Sequence, residues 1–270
     1  QGDWSSDVCS SDLAARLVEE GGADALVSAG NTGALVLACA STFRLIDGIP
    51  RAALASVYPT ERRHGPRQDP FALILDVGAT VNADADALVG FALMGSAYSS
   101  VISEIEAPRV ALLSNGTEPG KGTPAIVEAH RRLVSAPIAF HGNIEGLDIP
   151  VGSVDVVVCD GFLGNVVLKM LEGIGEMIQG GGPEGVRGAP WRLALQMMGG
   201  RLADLKRLTD WKGYGGAPLL GFDRLAIKAH GRSEAGAMRN AIKVAAKAVR
   251  GDFRGRVERA VAALRRPAVG

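Results

Sequence analysis

The apolar run Val154-Asp155-Val156-Val157-Val158-Cys159 stops at Asp160-Gly161, and the chain continues as a helical pattern from Phe162 to Glu172. So short and uniformly apolar a run suits a strand covered on both faces of a sheet, a position that dictates much of the surrounding fold. In the pattern that follows, residues 163, 166, 167, 170, 171, 174, 177 and 178 share one helical face, and Asn165, Lys169, Glu172 and Glu176 lie opposite. A strand-to-helix turn of this kind directs backbone N–H groups and the positive end of the helix dipole at one spot. Such a spot suits an anion, phosphate above all.

The alternation continues along the chain. Strands are expected at Ala25–Ala29, Ala53–Tyr58, Phe71–Val77, Arg109–Ser114, Ile138–His141, Val154–Asp160 and Leu225–Ala229. Helices are expected at 33–46, 84–100, 123–134, 163–178, 191–208, 234–250 and 254–265. The order argues for an α/β fold with a mainly parallel sheet, in which ligands bind beyond the carboxyl ends of the strands.

Residues 1–13 contain the near-duplicate Ser5-Ser6-Asp7 and Ser10-Ser11-Asp12. They read as a non-native scar or disordered lead-in. That leaves 14–250 as an N-terminally truncated catalytic domain and 251–270 as a solvated Arg-rich tail.

Three turns carry the candidate chemistry. Gly30, Asn31, Thr32 and Gly33 follow the first strand and offer backbone and side-chain donors to phosphate. Lys121 stands between two glycines in the loop after Ser114, a mobile cation above the sheet. Gly161, Gly164, Asn165 and Lys169 form the third turn, where Asn165 can donate to an oxyanion. Asp76, at another strand end, and His230, in Lys228-Ala229-His230-Gly231, are further substrate-binding candidates.

Composition narrows the chemistry further. Lys+Arg and Asp+Glu are equal at 29 each, so no global charge favours nucleic acid. The three cysteines have no metal-ligand spacing, and His64, His130 and His141 lack ligand-type companions, so no metal or cofactor is expected. No run reaches the ~18 apolar residues of a spanning helix, and no signal peptide is visible, so a cytosolic location is expected. Walker, Gly-x-Gly-x-x-Gly and Gly-x-Ser-x-Gly motifs are missing. The remaining option is acyl transfer with phosphate itself as the nucleophile.

Taken in order, Ser28-Ala29-Gly30-Asn31-Thr32-Gly33-Ala34, Asp76-Val77-Gly78-Ala79, Gly120-Lys121-Gly122, Gly142-Asn143-Ile144-Glu145-Gly146, Asp160 through Lys169, Gly215 through Gly221 and Lys228-Ala229-His230-Gly231 resemble one family. It is the bacterial phosphate acyltransferase of phospholipid synthesis, the acyl-acyl carrier protein:phosphate enzyme. The resemblance runs from about Ala14 to about Val249. It implies a three-layer αβα fold related to the isocitrate and isopropylmalate dehydrogenases and to phosphotransacetylase. It also implies a homodimer, acyl carrier protein and inorganic phosphate as partners, and a membrane-bound glycerol-3-phosphate acyltransferase downstream. Lys121 and Asn165 occupy the positions of the family's catalytic candidates.

Two rival readings stand beside it: a phosphotransacetylase acting on acyl-coenzyme A, and a noncatalytic acyl- or carrier-binding protein. One more segment bears on location. On a helical wheel, Trp191, Leu195, Met198 and Leu202 share an apolar face flanked by Arg192, Arg201, Lys206 and Arg207. A basic amphipathic helix of this kind suits the surface of an anionic bilayer, here the inner face of the membrane.

Overall fold

A computed structural model describes residues 4–179, 216–229 and 235–265. In chain order the elements are α1 (Trp4–Glu19), β1 (Ala25–Ser28), α2 (Thr32–Thr42), β2 (Ala53–His64), β3 (Asp69–Leu75), α3 (Ala85–Ile102), β4 (Arg109–Leu113) and α4 (Pro124–Leu133). They continue as β5 (Ala139–Ile144), α5 (Asp148–Val151), β6 (Val156–Val158), α6 (Gly161–Gln179), β7 (Ala217–Leu220), β8 (Leu225–Lys228), α7 (Ala235–Arg250) and α8 (Phe253–Arg265).

The strands form one sheet in the order β1-β8-β7-β2-β3-β6-β4-β5. Pairs β1/β8, β3/β6, β6/β4 and β4/β5 are parallel. The pairs β2/β3, β2/β7 and β7/β8 are antiparallel. The expected α/β fold is present, with a mixed sheet that is mostly parallel. Its centre differs from a purely parallel arrangement because β2 and β3 form a hairpin.

Alternate residues of each strand face alternate layers, as the pleat requires. Leu73, Leu75, Val156, Val158 and Ile227 join α3, α7 and α8 in one apolar cluster. Leu26, Ile74, Val157 and Ala226 join Leu35, Cys39 and Leu168 of the opposite helices. The result is three layers. Among the described residues α3 is the one helix long and apolar enough to cross a membrane, but most of it is buried against the sheet.

Two expectations about the ends are corrected. Residues 4–13 do not form a disordered lead-in, because α1 runs continuously from Trp4 to Glu19. Ala15 and Val18 of that helix are buried beside Leu26 and Leu35. The Arg-rich tail is likewise not simply solvated. The helix α8 buries Phe253, Val257 and Val261, and Phe253 meets Tyr98 edge-on at 5.8 Å. Its arginines occupy the outer face while an apolar residue returns every four positions.

At the amino ends of β4 and β6 lies a buried polar cluster. Asp155 Oδ1 bonds His64 Nδ1 at 2.6 Å, and Asp155 Oδ2 accepts from the backbone N–H of Arg109 at 2.7 Å. Thr60 Oγ1 lies 3.0 Å from the other ring nitrogen of His64. Burial pushes the Asp155 carboxyl up, but the bonds from His64 and Arg109 outweigh it and hold the group down at about 2. This cluster ties the end of β2 to the starts of β4 and β6.

Candidate active site

Asp76 follows β3 and is fully buried. Its Oδ1 accepts from the N–H groups of Leu54 (2.9 Å), Gly78 (3.0 Å) and Ala79 (3.0 Å), and its Oδ2 from Thr80 (2.7 Å). Four backbone donors saturate the carboxylate, so Asp76 organises a loop and does not bind substrate directly. Thr80 Oγ1 in turn accepts from the N–H of Gly161, the first residue of α6, at 3.1 Å.

Glycines permit this joint. A Cβ on Gly161 would lie 2.2 Å from the Thr80 carbonyl oxygen and 2.5 Å from Asp76 Oδ2. The helix therefore docks on the Asp76–Thr80 loop through bare backbone. Asp160 Oδ1 also caps the helix by accepting from the Leu163 N–H at 2.9 Å. A cap that is itself anionic, with two of the first N–H groups already bonded, makes a poor phosphate cradle. Gly161 and Gly164 are corrected from phosphate contacts to packing residues.

Asn165 fares better. It is exposed, and a Cβ on Gly78 would stand 3.9 Å from both its Cβ and its Cγ, so the amide lies over the mouth of the loop. Lys169 does not join it. Its ammonium pairs with Glu172 at 2.8 Å, one turn along α6, and makes no bond to Asn165 or to the Asp76–Thr80 loop among the described residues. The expected single apolar face of α6 is split as well. Close docking at the glycines turns Leu163, Val167, Leu168 and Leu171 inward. Phe162, Val166, Met170, Ile174 and Met177 remain exposed.

Lys121 stands at the carboxyl end of β4, beside β6, on the same sheet edge as Asn165. It is exposed and has no acidic partner among the described residues. Its loop is pinned from below: Asn143 Nδ2 donates to the Glu118 carbonyl at 2.9 Å, and His130 Nδ1 bonds Asn143 Oδ1 at 2.9 Å. Asn143 is 4% exposed and acts as a positioning residue that the sequence reading quoted without assigning a role. A buried amide at the end of an otherwise half-apolar strand was the available signal.

The turn at Gly30–Gly33 is open. Asn31 caps α2 by accepting from the Ala34 N–H at 3.1 Å, and the Gly30 N–H donates to Ser28 Oγ at 3.2 Å. The first turn of α2 holds no acidic residue, and the N–H groups of Thr32 and Gly33 have no partner among the described residues. However, β1 and β8 run opposite to β3, β4, β5 and β6, so this turn leaves the opposite edge of the sheet. Among the described residues no hydrogen bond joins it to the Asp76–Gly161 joint. These contacts do not bring the Gly30–Gly33 turn together with the other two turns. His230, Trp191, Leu195, Met198 and Leu202 lie outside the described residues.

Both described core thiols are inert. Burial pushes Cys39 up to about 12 and Cys159 well above its ordinary value. Among the described residues no group of His, Cys, Asp and Glu is arranged to hold a metal.

Comparison with known proteins places the chain in a family. The family model described as "Fatty acid synthesis protein" matches residues 5–256. A phosphate acyltransferase of Exiguobacterium sp. is 43% identical over 251 residues, covering 93% of this chain and 74% of that protein. One from Thermoanaerobacter pseudethanolicus is 46% identical over 234 residues, 85% of this chain and 67% of that protein. Among solved structures, a phosphotransacetylase from Streptococcus pyogenes superposes with a TM-score of 0.60 at 19% identity, covering 89% of this chain and 67% of that one. A branched-chain phosphotransacylase from Enterococcus faecalis V583 gives 0.54 at 15% identity, covering 90% and 79%. The structures establish the shared fold, and the sequence relatives establish the rest: this chain belongs to the phosphate acyltransferase family and is an acyltransferase that uses phosphate as acceptor.

Proposed function

We propose that the chain transfers a fatty acyl group from an acyl carrier protein thioester to inorganic phosphate, releasing the carrier thiol and an acyl phosphate. The observation that carries this reading is Lys121, an exposed ammonium without an acidic partner among the described residues, on the sheet edge that also presents Asn165. A phosphate oxygen attacks the thioester carbonyl, and the electron pair displaced from the C=O bond forms a tetrahedral oxyanion. Lys121 and Asn165 donate to it, and one such donor is typically worth about 3–4 kcal/mol. Collapse of the oxyanion expels the thiolate. A thiol with a pKa of ~8.5 leaves without a strong general acid, so no covalent acyl-enzyme is required.

The test is release of free thiol from long-chain acyl carrier protein with and without phosphate, beside acetyl-coenzyme A. Phosphate-dependent release from the carrier alone supports the reading. Preference for acetyl-coenzyme A would indicate a phosphotransacetylase, and no release with either donor would indicate a binding protein.

The remaining partners follow from the same proposal. An acyl phosphate suits consumption by a membrane-bound glycerol-3-phosphate acyltransferase, and the face at Trp191, Leu195, Met198 and Leu202 suits peripheral attachment of a cytoplasmic enzyme to the inner side of that membrane. A homodimer is favoured by the exposed stripe Phe162, Val166, Met170, Ile174 and Met177, which follows α6 at helical spacing.

A further inference from the structure

We infer that Lys228 and the open turn before α2 together hold a phosphate group of the substrates, separately from the Lys121–Asn165 edge; this rests on the acyl-transfer reading above. Lys228 is the last residue of β8 and only 9% exposed. The one hydrogen bond of its side chain among the described residues is from Nζ to the carbonyl of its own neighbour Ala229. An ammonium has three donors, and no carboxylate among the described residues faces this one. A buried cation with no counter-charge is costly unless a ligand supplies that charge. Desolvation also draws its pKa down, in keeping with a site waiting for an anion.

Geometry directs the ammonium toward the turn. Ser28 and Lys228 are register partners on parallel strands, and the Ala229 N–H donates to the Ser28 carbonyl at 2.8 Å. Leu26 and Ala226, two residues before each, face the cluster that contains Leu35, Ala38 and Cys39 of α2, so Ser28 and Lys228 face the α2 layer too. By reaching the Ala229 carbonyl, Nζ extends along β8 to the rim where β1 gives way to Gly30. There the Thr32 and Gly33 N–H groups stand without partners among the described residues, at a helix start with no acidic residue. A cation, two free N–H groups and a helix dipole of the same sign converge on one rim.

Two phosphate groups take part in the reaction, the acceptor and the phosphodiester of the carrier's phosphopantetheine arm, and the second is the one that suits this rim, because the acceptor must reach the carbonyl held at the Lys121–Asn165 edge. Lys228→Met, with Lys228→Arg as the charge-keeping control, separates them. The expected result is a KM raised about tenfold to a hundredfold, the scale of a lost charge-assisted hydrogen bond, with partial rescue by Arg. A rise confined to the carrier thioester supports the arm, and a rise confined to phosphate overturns it. An unchanged KM for both substrates in a folded Lys228→Met chain overturns the inference. A second measurement needs neither variant nor turnover: the unmutated chain is titrated with inorganic phosphate, then with phosphopantetheine, following the Thr32 and Gly33 amide resonances. Saturable shifts with either ligand support the site even if acyl transfer fails. No shift with both overturns it.

Discussion

The carbonyl oxygen of Asp76 lies 1.8 Å from where a Cβ on Gly164 would have to stand. No side chain fits on α6 at Gly164, where the helix meets the backbone after β3, so the loop and the helix that presents Asn165 behave as one rigid piece.

Gly164→Ala is therefore expected to destabilise the chain by at least ~1–3 kcal/mol through forced displacement of backbone. Gly173, on the same helix, has nothing within 4 Å of its Cβ position. Gly173→Ala should stabilise by about 0.5–1 kcal/mol through helix propensity. Urea denaturation of the two variants checks the contrast, and equal midpoints would refute the close-docking account.

Lys121→Ala and Asn165→Ala should each lower turnover about a hundredfold, the effect of one lost oxyanion donor. Both side chains are exposed, so melting temperatures should stay at the parent value. Near-parental formation of acyl phosphate in either variant removes that residue from the chemistry.

Stability should fall in acid through Asp155. Its folded value, about 2, lies below the ordinary 3.8, so its contribution is fully present above the ordinary value and is lost as pH falls toward 2. The difference corresponds to about 2 kcal/mol. Asp155→Asn should be less stable at neutral pH and should lose this part of the acid dependence. Parallel pH–stability curves for parent and variant would show that the His64–Asp155–Arg109 cluster contributes nothing.

Val166→Glu with Met170→Glu should convert a dimer to a monomer in analytical ultracentrifugation without unfolding it, because both side chains already face solvent in the single chain. A dimer that survives both charges rules out the α6 stripe as its interface.

For the membrane proposal, Trp191→Glu with Leu195→Glu should abolish co-sedimentation with anionic vesicles while preserving activity on soluble substrate. Retention of vesicle binding would assign attachment to another surface.

Local pattern was enough to find most elements. Strands expected at Ala25–Ala29, Arg109–Ser114 and Leu225–Ala229 each end one residue earlier in the structure, and α4, α7 and α8 match their expected spans within a residue. These elements have strong periodicity and clear stops. The strand β7 escaped notice because it has four residues, one of them Pro218. The extension of β2 through Glu61-Arg62-Arg63 was hidden because those side chains are exposed and polar. At the site, Lys121 and Asn165 were legible as polar residues on glycine turns. The closure of the α6 turn was not, since it depends on Thr80, eighty-one residues before Gly161.

The pairing of β1 with β8 has a consequence for biosynthesis. Ala25 must wait for Leu225, about two hundred residues further along the chain, before its outer strand finds a partner. At ribosomal rates of roughly 5–20 residues per second, that interval is about 10–40 s. Throughout it, the segment around β1 carries an unpaired apolar strand and the open turn that follows it. The pairing of β1 with β8 also brings Lys228 beside Ser28, so the proposed phosphate site can arise only after Lys228 has been synthesised.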